Sequence, residues 1–78
     1  MQKKVKIYST PTCGYCNVAK DFFDENNIKY EEFDVSVDEQ KRKELIEISG
    51  QMGVPVIAIG EDIVIGFDQA KISELLGL

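Results

Sequence analysis

The chain has 78 residues, 44% hydrophobic and 29% charged, with Lys and Arg numbering 9 against 14 Asp and Glu. That length allows one domain, residues 1–78, near the lower limit for folding alone, and the net charge of −5 argues against nucleic acid, whose phosphates need a clustered positive surface. The absence of histidine removes Cys-His nucleophile pairs, Ser-His-Asp triads and His-ligated metals together.

No apolar run approaches the ~20 residues needed to span a bilayer. Met1-Gln2-Lys3-Lys4 leads into Val5 without an export-type apolar core, so a cytoplasmic, reducing compartment and no membrane partner are expected. Val5-Lys6-Ile7-Tyr8 is short and alternates weakly, as suits a buried central strand. The lysines Lys3, Lys4 and Lys6 read as its solvated start. Ser9-Thr10-Pro11-Thr12 breaks the strand. Cys16 to about Asn26 follows as a helix, with Ala19, Phe22, Phe23 and Asn26 on its inner face and Lys20, Asp24 and Glu25 outside.

Lys29 to Val35 reads as a second strand, with Tyr30, Phe33 and Val35 inward. Ser36-Val37-Asp38-Glu39 has the form of a capping box, predicting a second helix from there. Leu45, Ile46 and Ser49 form its inner stripe, and Gly50 stops it in a left-handed conformation. Val54 to Ile59 is a third strand that opens at Pro55. Gly60-Glu61 turns the chain into a fourth, Asp62 to Ile65, making a hairpin. Asp68 caps a last helix, with Ile72, Leu75 and Leu76 inward and Gly77 at its end. The predicted class is α/β in the order β-α-β-α-β-β-α, a four-stranded mixed sheet with three helices whose first half is a parallel crossover unit.

The only cysteines, in Cys13-Gly14-Tyr15-Cys16, lie where the first strand passes into the first helix. Thiols spaced C-x-x-C on a first helical turn are close enough to bridge, and the helix N-terminus favours a thiolate on the first. A cysteine pair in a reducing compartment points to catalysis or metal binding rather than a structural staple. A loop this small also restricts the unfolded chain too little to stabilise the fold much. One chain offers two thiols and no imidazole, so a four-ligand zinc site would need two chains. Tyr15, between the cysteines, is placed to shield the thiols or stack on a substrate. Thr12 is either a loop and capping group or a hydrogen-bond donor to the thiolate.

A C-x-x-C after a strand in a β-α-β context reads as a thioredoxin-like redox site, and the chain resembles the glutaredoxin family over essentially its full length. Three segments carry the likeness: Ile7 to Cys16 resembles the family's active-site segment, Gly53-Val54-Pro55 its Thr-Val-Pro turn, and Gly66-Phe67-Asp68 its Gly-Gly-x-Asp segment. The resemblance implies that Cys13 is the nucleophile and that Cys16 is buried and resolves the mixed disulfide. It implies that Pro55 is cis, so that the Val54 backbone offers a ledge on which a peptide or glutathione pairs as an added strand. Gly66, Phe67 and Asp68 would then receive the γ-glutamyl end of glutathione at a helix start.

The implied activity is dithiol–disulfide exchange on protein or small-molecule disulfides by a monomer with no tightly bound cofactor. Two electron sources are compatible with the resemblance. Glutathione-using members commonly carry a lysine where this chain has Thr10, an arginine where it has Met52, and a second glycine where it has Phe67; Gln51 and Lys20 are the available substitutes. Gly66-Phe67 is also similar to redoxins that serve ribonucleotide reductase and are recharged by thioredoxin reductase. The alternative function is an iron–sulfur module, a dimer holding a 2Fe–2S cluster between Cys13 of each copy and glutathione thiols.

Overall fold

The computed structural model describes residues 3–78; Met1 and Gln2, the start of the stretch read for a leader, lie outside it. Seven elements follow in the expected order: β1 (Val5–Ser9), α1 (Gly14–Glu25), β2 (Glu31–Asp34), α2 (Glu39–Ser49), β3 (Val56–Ile59), β4 (Asp62–Ile65) and α3 (Gln69–Leu76). The strands form one mixed sheet in the order β2-β1-β3-β4. β1 pairs parallel with β2 and antiparallel with β3, and β3 pairs antiparallel with β4.

Because successive side chains of a strand face opposite ways, the sheet buries two apolar faces. Val5, Ile7, Ile57, Ile59 and Val64 pack with Ala19 and Phe23 of α1 and Ile72 of α3. On the other face Tyr8 and Val56 pack with Val35 and with Leu45 of α2. No described helix is long and apolar enough to cross a membrane.

Four boundaries differ from expectation. α1 begins at Gly14 with Cys13 as its cap. β2 covers only Glu31–Asp34, and Val35 instead donates its N–H to Ser9 O at 2.9 Å. β3 begins at Val56 rather than Val54. Ser36 does not cap α2: its N–H and hydroxyl are both taken by the Asp34 carboxylate, and Asp38 accepts the Lys41 N–H at 3.0 Å in its place. Two inward assignments also fail. Asn26 is exposed and caps α1, while Ile28 takes the buried position beyond it. Ile46 is exposed, and the α2 face is filled by Leu45 with Ile48 beside it.

Tyr8 is almost wholly buried, and its hydroxyl donates to Glu44 Oε1 on α2. Lys41 holds the same carboxylate at 3.1 Å and lies over the Phe33 ring, 4.2 Å from its centroid. Burial and the Glu44 carboxylate push the Tyr8 hydroxyl well above its ordinary range. The Tyr8 hydrogen bond, with Lys41, holds Glu44 below the usual carboxylate range.

Tyr8→Phe should therefore lower stability by about 1–2 kcal/mol near neutral pH, a charge-assisted hydrogen bond reduced for a partly exposed carboxylate. Glu44 contributes fully above the ordinary carboxylate pKa of about 4.3 and loses its contribution as pH falls through the lowered value. Tyr8 contributes fully below its ordinary pKa of about 10 and loses its contribution as pH rises through the raised one. Urea unfolding of both proteins is expected to show a gap that is full near neutrality and shrinks below about pH 4.

Candidate active site

Val56 is paired with Tyr8 on one side and with Ile65 on the other. The antiparallel registers therefore bring the exit of β1, the entrance of β3 and the exit of β4 to one end of the sheet. Cys13, Val54-Pro55 and Gly66-Phe67-Asp68 all lie on the loops at that end.

In the first loop, Cys13 has extended backbone, φ −87° and ψ 109°, and its Sγ accepts the Cys16 N–H at 3.1 Å. Sulfur thus does what an Asp or Ser oxygen ordinarily does at a helix N-terminus. The first turn of α1 has no acidic residue, so no carboxylate competes for the partial positive charge there. The Cys13 N–H is held by Thr10 O at 3.2 Å. Cys13 and Cys16 are joined as a disulfide with a Cα–Cα distance of 5.3 Å. Cys13 is half-buried while Cys16 has no exposed surface. Thr12 and Tyr15 are exposed, Tyr15 by 72%. The hydrogen bond on Cys13 Sγ thus comes from the backbone of α1. A Cβ at Gly14 would meet nothing within 4 Å, so space does not require glycine between the cysteines.

The second loop is tied down before it reaches the sheet. Gly50 takes the left-handed conformation expected of it, φ 71°. Ser49 Oγ lies 2.6 Å from Leu45 O and 2.9 Å from Gln51 O. The Gln51 amide spans the Gly53 backbone, accepting its N–H and donating to its carbonyl. The Val54–Pro55 bond is cis, as the resemblance implied. Pro55 is buried and Val54 half-buried. Among the described residues, Val54 has no partner in the sheet register.

In the third loop, Gly66 has φ 79°, a conformation that residues with a Cβ rarely adopt, and its N–H donates to Pro55 O at 2.8 Å. Phe67 is half-buried and meets Phe22 of α1 edge-on, ring centroids 5.7 Å apart. Asp68 caps α3 by accepting the Lys71 N–H at 3.1 Å.

Beside the cysteine loop lies a group that sequence spacing did not reveal. Glu32 Oε2 accepts from Lys20 Nζ at 2.6 Å and from the buried Ser9 hydroxyl at 3.1 Å. The bond to Lys20 leads in holding Glu32 below the usual carboxylate range, and the same bond raises Lys20. Lys20 is thereby committed to Glu32, as Gln51 is to Gly53. These are the two side chains that the sequence offered in place of the cations absent at Thr10 and Met52. Met52 itself is 64% exposed.

A protein-family model, Glutaredoxin, matches residues 5–64. The chain is 42% identical over 72 residues to an uncharacterized glutaredoxin-like 8.6 kDa protein in the rubredoxin operon of Clostridium pasteurianum, covering 92% of this chain and 96% of that one. It is 34% identical over 64 residues to glutaredoxin 3 of Escherichia coli K12, covering 82% and 77% respectively. Among solved structures, the thioredoxin-like protein BC3987 superposes with a TM-score of 0.88 at 36% identity, covering 94% of this chain and 100% of that one.

The unequal exposure of the two sulfurs gives a direct test. The reduced, folded protein should take up one iodoacetamide adduct at Cys13, with Cys16 modified at least about tenfold more slowly until the chain is unfolded. Peptide mapping by mass spectrometry reads the result, and equal labelling of both in the native state would contradict it.

Proposed function

The chain belongs to the glutaredoxin family, and we propose that it is a monomeric, cytoplasmic dithiol enzyme that reduces protein or small-molecule disulfides through Cys13 and Cys16. The observation that carries this reading is the Cys16 N–H aimed at Cys13 Sγ at the mouth of α1, with the second sulfur buried one turn inside. A donor and a helix N-terminus directed at one sulfur favour its thiolate, the form that attacks disulfides.

In this reading the Cys13 thiolate attacks one sulfur of the substrate disulfide. The substrate S–S bond breaks, a Cys13–substrate disulfide forms, and the displaced sulfur leaves as a thiolate that takes a proton from water. Cys16 then releases its proton and attacks Cys13 Sγ, expelling the second substrate sulfur and closing the Cys13–Cys16 bond. Two electrons have passed from the enzyme dithiol to the substrate. Val54 supplies an unpaired backbone edge for the substrate chain, with Thr12, Tyr15, Pro55, Gly66, Phe67 and Asp68 around it.

For the return step, the reading that fits these residues best is a flavoprotein of the thioredoxin reductase type, fed by NADPH, rather than glutathione. Thr10 and Met52 are uncharged, and the two candidate substitutes are engaged elsewhere, Lys20 by Glu32 and Gln51 by Gly53. Each missing cation would contribute about 1–3 kcal/mol to holding a glutathione carboxylate. Ribonucleotide reductase is one protein disulfide that such a donor could serve.

Oxidised protein should be reduced by NADPH and thioredoxin reductase, and should then reduce 2-hydroxyethyl disulfide catalytically. Glutathione at equal electron equivalents should recharge it at least about tenfold more slowly, given the absent cations. Rapid, saturable recharging by glutathione would overturn the assignment of the reductant. Cys13→Ser should abolish turnover, and Cys16→Ser should stop at a mixed disulfide visible as a mass adduct. Full activity in Cys13→Ser would overturn the mechanism.

A further inference from the structure

One face of α1 lies at the rim of the first apolar cluster, where Phe22 and Phe67 pack against the core and Val18 is exposed beyond them. Val18, Asp21, Phe22 and Glu25 recur at the i, i+3, i+4, i+7 spacing that places side chains in a single stripe, and Tyr15 lies three residues before it in the cysteine motif. With Phe67 from the third loop and Gln69 at the start of α3, Val18, Asp21, Phe22 and Glu25 line an open groove of about 240 Å³. The floor is the edge-on contact of Phe22 with Phe67, and Val18 is 47% exposed. The lip is acidic. Asp21 and Glu25 are exposed, and among the described residues neither lies in an ion pair. The cation nearest in sequence, Lys20, is held by Glu32.

Both walls of the groove lead back along the chain to the redox end. Cys13 caps α1, and Phe67 follows Gly66, whose N–H is bonded to Pro55 O. At 1.5 Å per helical residue, the stripe from Tyr15 to Glu25 runs about 15 Å, the reach of four or five extended residues. We propose that this groove docks the polypeptide that flanks the disulfide of a protein substrate, and that it selects a segment with an apolar side chain beside Lys or Arg, three to five residues from the reacting cysteine. The inference rests on the disulfide-reductase reading above and adds the class of protein substrate to it. The unpaired carboxylates supply the charge preference, and Val18, Phe22 and Phe67 take the apolar side chain. A second copy of this chain, with a net charge of −5, is a poor electrostatic match for an acidic lip.

The probes are two synthetic peptides, each carrying one cysteine as a mixed disulfide with thionitrobenzoate and a leucine three residues on; the next residue is arginine in one and glutamate in the other. Wild-type protein should reduce the arginine peptide with a kcat/KM about three- to tenfold higher at low salt, as expected for two exposed charge contacts, and the ratio should fall towards one as salt rises. The pair Asp21→Lys, Glu25→Lys should invert the preference. The pair Asp21→Asn, Glu25→Gln, which keeps the side-chain shapes, should bring the ratio close to one. A ratio near one in the wild type, or one unmoved by both double variants, would overturn the groove while reduction of 2-hydroxyethyl disulfide still upheld the reductase. Failure to reduce any of the three disulfides would overturn the reductase reading and the groove with it. A wild-type dimer on gel filtration that the lysine variants dissociate would assign the groove to a second copy and overturn the proposal.

Discussion

The pairing of Val56 with both Tyr8 and Ile65 is the constraint on which the rest of the molecule depends. A β-α-β unit by itself would set the cysteine motif at the end of a strand with nothing opposite it. Antiparallel insertion of β3 beside β1 brings a second loop to that end, and the hairpin brings a third. The bond from Gly66 N–H to Pro55 O then locks the second and third loops to each other. Shifting the β3 register by one residue would exchange the two buried faces. Such a shift would remove Ile57 and Ile59 from the α1 and α3 side and carry the ledge away from the cysteines.

The charged residues fall into two groups with different consequences. Lys4 with Glu31, Lys41 with Glu44, and Lys20 with Glu32 join elements or neighbouring turns, and their value lies in fixing which side chains are already occupied. Lys20 is the instructive member. Its position just past the middle of α1 made it a plausible partner for an anionic ligand, yet the strand opposite supplies Glu32 as its partner in the fold. The unpaired carboxylates on the outer face of α1 give that face a sign that the paired ones lack. Charge pairing thus decides where this surface is neutral and where it is acidic.

Much of this was readable before any coordinates. The apolar positions Ala19, Phe23, Leu45 and Ile72 all proved buried, because helical periodicity reports the core face directly. Gly50 and Gly77 both end helices in the left-handed region, where glycine carries no Cβ penalty. What failed was decided by competition among neighbours. Ser36 and Asp38 are both competent caps, and the Asp34 carboxylate removed the first by binding it in a tight turn. Asn26 sat at an inward spacing, but the chain reverses at Asn27, φ 56°, and delivers Ile28 to the core instead. The tie from Tyr8 to Glu44 joins residues 36 positions apart. No local pattern records such a pair. The cysteine chemistry was legible because its spacing is local, while the state of Lys20 and Gln51 was not, because it depends on who else is within reach.

The brace formed by Ser49, Gly50 and the Gln51 amide on the Gly53 backbone has a consequence for recognition. An incoming chain that adds as a strand must find its template in one conformation, or binding carries the cost of ordering both partners. Here the segment leading to Val54 is held by the Ser49 and Gln51 side chains. In the strand-addition reading proposed above, the loss of freedom on association then falls mostly on the visitor. A flexible partner and a rigid one should therefore differ more in affinity for this surface than their contacts alone would suggest.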